Sequence, residues 1–193
     1  MAAGLFELSE RVLDQLSDLP PDAFGAVQAD TGLCIGALAL HLAWAELSWM
    51  ERLRGEAAPP SLATSVARGN LATLLQCTAA AAPKEAALSP TASAPPTASA
   101  LPASSAAEPY PANVDDYRRI YASLRDELTL PTLRSIVDIH AEMESKGLRI
   151  SPAGVMAHLA WHWTYHSGQI GLLRMFAGYD YTWTFDAEVR IGR

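Results

Sequence analysis

Cysteine is nearly absent from this chain. Its 193 residues include two, Cys34 and Cys77, too few for a disulfide framework or a thiolate zinc site. Cys34 reads as a small buried apolar residue. Positive charge is also scarce, with 14 Lys and Arg against 21 Asp and Glu, a net charge of -7 and a pI near 5.1. Phosphate recognition requires a basic stripe, and no Lys/Arg cluster occurs. Nucleic acid is therefore excluded as the main partner, as is an anionic membrane surface. Long apolar runs are missing too. The longest, "CIGALALHLAWA", is too short to span a bilayer and contains His41. The N-terminal "MAAGLFELSERVLDQLSDLPP" lacks the positive n-region and unbroken apolar core of a signal peptide. A cytoplasmic protein is the expectation.

What is present fits an ordinary globular chain, 50% hydrophobic and 18% charged. One domain over 1–193 is long enough to bury a core. Residues 79–109, almost entirely Ala, Pro, Ser and Thr, cannot bury enough apolar surface to offset their ordering entropy and read as a flexible linker. A first helix over 4–17 follows from Leu5, Leu8, Val12 and Leu16, and "LPPDAF" ends it. A second runs from about Gly32 to Arg54, with Asp30 or Thr31 as cap and Gly55 as stop. "SLATSVARGNLATLLQ" allows a further short helix. A third begins at an Asn cap in "NVDDYRRIYASLRDEL", with Val114, Tyr117, Tyr121, Leu124 and Leu128 as its stripe. Residues 129–149 either prolong it past Pro131 or form a shorter helix. In the last helix Ser151 caps, Pro152 occupies the first turn and Gly178 follows the end. No strand pattern competes. The expected fold is all-α, a four-helix bundle with a long crossover between helices 2 and 3.

The last helix carries "HLAWHWTYHSGQIGLLR", with histidines at 158, 162 and 166. On a helical wheel they run down one apolar face. Buried imidazoles must satisfy two ring nitrogens each, and protonating several together is costly. A metal resolves both difficulties by taking one nitrogen of each neutral ring. Two histidines four apart reach one ion, and a third ligand must come from a facing helix. His41, on the core stripe of the second helix, is the candidate. The blander alternative is a set of core histidines bonded to carbonyls or carboxylates.

"ALHLAWAELSWMERLRGE" resembles the second helix of the DinB/YfiT-like proteins, and "VMAHLAWHWTYHSGQIGLLRMFAGYD" is similar to their last helix. That resemblance implies a divalent metal on His41, His162 and His166. Ser167 stands where many relatives have Arg. His158, one turn earlier, would contact the ligands or face substrate. Gln169 and Tyr165 flank the site and could orient a ligand or a water. Glu46 lies about 140° from His41, which suits inter-helix hydrogen bonding rather than ligation. His140 reads as surface or loop.

Opposite the histidines stand Ala157, Ala160, Thr164, Ser167, Gly168 and Gly171. Two helical glycines cost about 1 kcal/mol each relative to alanine, which close approach of another backbone would justify. That backbone belongs either to this chain or to a second copy in a homodimer. Trp161 and Trp163 flank the ridge and should not both be left in water.

Three histidines leave an open coordination position, the mark of catalytic rather than structural zinc. Relatives include transferases and isomerases that use low-molecular-weight thiols, which implies activation of a small thiol or of water, in a thiol S-transferase or hydrolase. Tyr165, His158 or Gln169 would assist proton transfer. The alternative is a metal-binding stress-response protein without turnover. Three imidazoles suit zinc, nickel, iron or copper, with zinc or nickel the expectation and iron the next.

Overall fold

The computed structural model describes residues 2–27, 33–70 and 113–179. The linker at 79–109 and Cys77 lie outside them. The described chain is mostly helical. Among the described residues no helix is long and apolar enough to cross a membrane.

Helix α1 (Ala2–Leu16) buries Leu5, Val12 and Leu16 along one face. The short α2 (Pro21–Gly25) starts on a proline, whose missing N–H costs nothing in a first turn, and sinks Phe24 into the core. Helix α3 (Ile35–Arg54) is buried round nearly its whole circumference from Ile35 to Ala43. It starts later than the sequence suggests. Asp30 and Thr31 lie outside the described residues, and the cap is Cys34, whose Sγ accepts the Ala37 N–H at 3.2 Å. Cys34 is extended and bridged to Val27, so the helix cannot begin before it. Gly55 ends α3 in the left-handed region at φ 70°, as expected.

Helix α4 (Pro60–Val66) runs into a tight turn over Ala67–Gly69. Helix α5 (Val114–Leu124) opens on Asn113, whose side chain accepts the Asp116 N–H at 2.9 Å. It does not stop at Leu124. A wide turn over Arg125–Thr129 leads straight into α6 (Leu130–Ser135), the Leu130 N–H bonding the Arg125 carbonyl. In a regular helix the Pro131 ring would meet the carbonyl of Glu127; the extra residue in the turn makes room. The third helix is thus prolonged past its proline to Ser135.

One expectation fails outright. Strands β1 (Met143–Ser145) and β2 (Leu148–Ile150) form an antiparallel hairpin, Met143 opposite Ile150. Lys146 and Gly147 both take positive φ, 50° and 75°, the conformation that a two-residue hairpin turn needs. Helix α7 (Pro152–Phe176) follows, capped by Ser151 and closed near Gly178 as expected. It packs against both α1 and α3, and α5 lies against α3 while Arg118 reaches the Leu13 carbonyl of α1 at 3.4 Å and Tyr121 meets Trp163 of α7 at 5.3 Å. Buried Arg174 reaches back from α7 to the Gln15 carbonyl and to Asp18, covering the C-terminal end of α1.

Candidate metal centre

The packing of α3 against α7 brings His41 onto His162 and His166. Ring centroids stand 4.5 Å apart for the α7 pair, and His41 lies 5.1 Å from His162 and 5.0 Å from His166. One ring nitrogen from each lies within 4.8 Å of the others. Zn–N bonds of about 2.0–2.1 Å require nitrogens roughly 3.3 Å apart, a gap that side-chain movements of under about 1 Å would close.

Tautomers are fixed by the outer hydrogen bonds. His41 Nδ1 lies 2.7 Å from the Gly69 carbonyl, an acceptor only, so Nδ1 donates and Nε2 keeps its lone pair. His166 Nδ1 donates likewise to Gln169 Oε1 at 2.6 Å, while the Gln169 amide nitrogen faces the Tyr165 hydroxyl at a long 3.5 Å. His162 Nε2 is buried with no hydrogen-bond partner among the described residues. Leaving such an atom unsatisfied costs about 1–3 kcal/mol. An ion held between the three rings would satisfy it.

Charge is disfavoured throughout. Burial pushes the pKa values of His41 and His166 below the ordinary imidazole value, with the Gly69 and Gln169 contacts opposing. Burial, and then the neighbouring His166, His41 and His158 rings, bring His162 down to about 3. All three are neutral at pH 7, the form that binds metal. Aromatic rings wall the cluster. Trp44 stacks on His41 at 5.8 Å, the Tyr165 ring meets His166 edge-on at 5.1 Å, and Trp161 lies 6.2 Å from His162.

The histidines do not run down the middle of the buried face. His166 is buried, His162 half-buried and His158 exposed. The buried line passes through Leu159, Trp163 and Ile170, roughly 80° round from His162. His158 stacks on His162 at 5.7 Å and lies tilted against Trp49 at 5.1 Å. It lines a cavity of about 310 Å³ with Trp49, Arg149 and Glu142. Tyr165 is half exposed, and Gln169 contacts His166 rather than open space. Ser167 turns away to Gln15 of α1. His140 is exposed in the loop before the hairpin. Glu46 is fully buried, accepting from Thr129 Oγ1 at 2.6 Å and from the Tyr121 hydroxyl at 3.1 Å, and is no ligand.

Gly69 escapes a reading of the sequence. A Cβ there would sit 2.2 Å from the Leu40 carbonyl oxygen and 2.8 Å from Trp44 Cβ. Only glycine lets this turn approach α3 closely enough to seat its carbonyl on His41. The one hint is a glycine just past a short helix, in "ARGN".

The chain matches no protein-family model, no curated protein and no solved structure.

Proposed function

We propose that the chain is a DinB/YfiT-like metalloprotein, with α1, α3, α5 and α7 as a four-helix bundle whose second and third members are joined by a long crossover. His41, His162 and His166 hold one divalent ion, zinc or nickel by preference and iron as a further fit. The observation that carries this is the convergence of three neutral imidazoles, two with Nδ1 tied down and the third with a buried Nε2 that has no partner among the described residues.

When bound at such an open site, the ion supplies a Lewis acid that makes a nucleophile of a small thiol or a water at neutral pH. The chain's own residues then divide the work. Gly69 and Gln169 hold protons on Nδ1 of His41 and His166, keeping both rings in the binding tautomer. Trp44, Trp161 and Tyr165 keep bulk water from the ring faces. His158, exposed in its cavity and stacked on His162, is placed to take the proton that the nucleophile gives up. The activity is that of a thiol S-transferase or hydrolase.

A second reading, a metal-binding stress-response protein without turnover, is favoured by one feature. The cavity is lined by His158 but by none of the three ligand histidines.

Metal analysis of untagged protein tests the centre. One equivalent of zinc or nickel per chain is expected, falling below a tenth in His162→Ala with the helical circular dichroism retained. No uptake by the wild type removes the proposal. Conjugation of a small thiol to an electrophile, lost in His162→Ala, then selects the enzyme; full metal loading with no turnover across such substrates selects the second reading.

A further inference from the structure

Helix α7 turns one face outward, and that face is apolar. Trp161, Tyr165, Gly168, Leu172 and Met175 follow one another at steps of four, three, four and three residues, with Phe176 beside the last. This is the 3.5-residue spacing of a helix–helix seam rather than a solvated surface. The large side chains are 60% (Trp161), 51% (Tyr165), 51% (Leu172), 65% (Met175) and 61% (Phe176) exposed. No exposed residue from Ala157 to Phe176 is Asp, Glu, Lys or Arg.

From this face we infer that α7 pairs with α7 of a second copy, antiparallel and about a two-fold axis. Of the residues on this face, Trp161, Tyr165, Leu172 and Phe176 are spaced by four, seven and four, a set symmetric about the midpoint of Gly168 and Gln169. Trp161 is thereby set against Phe176 of the partner subunit, and Tyr165 against Leu172 of the partner subunit. At the crossing, a Cβ on Gly168 would meet nothing within 4 Å of its own chain, so a second backbone can come close. Charge permits the encounter, because a chain of net charge -7 presents none on this strip. Area supports it as well. The exposed side chains amount to on the order of 600 Å² of apolar surface per copy. Two copies would bury at most about 1,200 Å² through these side chains, which reaches the lower end of the range for stable interfaces.

The ridge that the sequence offers for self-association is half used inside the chain. Ser167 bonds Gln15 of α1, and Gly171 faces the same side chain. The seam is displaced toward Trp161 and Leu172 as a result. It does not rest on the metal reading, although Tyr165 and Trp161 border His166 and His162, so the partner would cover the outer wall of that centre.

Sedimentation of the full untagged chain tests the pairing. The expected wild-type mass is that of two chains. Leu172→Asp and Met175→Asp each bury a charge in the seam and should weaken association at least about 100-fold, with circular dichroism unchanged. A wild type that stays monomeric at sub-millimolar concentration overturns the inference, and so does a dimer indifferent to both substitutions. Removing residues 180–193 should leave the dimer intact. If dimer forms only after their removal, that segment covers the face and the pairing is wrong. Oxidation fixes the orientation: Gly168→Cys should cross-link between chains beyond the wild-type background, whereas Phe176→Cys, about 22 Å from its copy in this register, should not. Any other pattern overturns the antiparallel register.

Discussion

Gly69 and Gln169 are the residues on which the histidines depend, and they fail in different ways. Gly69→Ala drives a methyl group into the Leu40 carbonyl, so the turn must lift away from α3 and take its own carbonyl off His41. The expected cost is about 1–3 kcal/mol of stability together with about a 10–100-fold loss of metal affinity, read by urea denaturation and chelator competition. Gln169→Leu removes the acceptor of His166 without a clash. Metal affinity should fall by a similar factor, and Gln169→Glu, which keeps an acceptor oxygen, should restore it. Protonation gives a third handle. The three imidazoles have folded pKa values below 6.5, His162 as low as about 3, so the unfolded chain binds protons that the folded chain refuses. Their contribution to stability is complete above about 6.5 and drains away as pH falls toward those lower values. The urea midpoint of metal-free protein should therefore drop on acidification below that pH, less steeply in His162→Gln. An equal slope in the two proteins would contradict the assignment.

Between elements, the buried Glu46 ties α3 to α5 and to the wide turn through Tyr121 and Thr129. Burial raises its pKa above the ordinary carboxylate value, with Thr129, Tyr121, Trp163 and Arg125 opposing. A raised folded value means that its contribution is full below the unfolded pKa and is lost as pH rises through the folded one. Glu46→Gln, neutral and of the same shape, should match the wild type in mild acid and exceed it in mild alkali, by thermal denaturation at each pH. The same element scale shows what the sequence could reveal. Asn113, Ser151, Pro152 and Gly178 marked helix ends because capping chemistry is local. Cys34 did not, since a thiol is a weak and uncommon cap. The hairpin stayed hidden because Lys146–Gly147 lacks the usual Asn or Asp. On α7 apolar residues occur nearly all round, so the pattern had no single centre and the buried face was misplaced toward the histidines. Their spacing was legible; Gly69, 28 residues from its partner His41, is a contact that only folding creates.

For the whole molecule, the centre spans α3 and α7, two helices far apart in sequence that bury much of the core between them. An ion there would hold those helices together only in the folded chain, so binding must raise stability, by about 4 kcal/mol at free metal a thousand times its Kd. The melting temperature should rise with zinc, return with a chelator, and rise much less at the same zinc concentration in His41→Ala. The most direct measurement is X-ray absorption on the zinc-loaded, untagged protein. The expected spectrum has three imidazoles on each zinc, with nitrogens at about 2.0–2.1 Å and a water oxygen completing the shell, falling to two imidazoles in His41→Ala. A zinc shell with one imidazole or none, or a spectrum unchanged by His41→Ala, would contradict a site shared between the two helices.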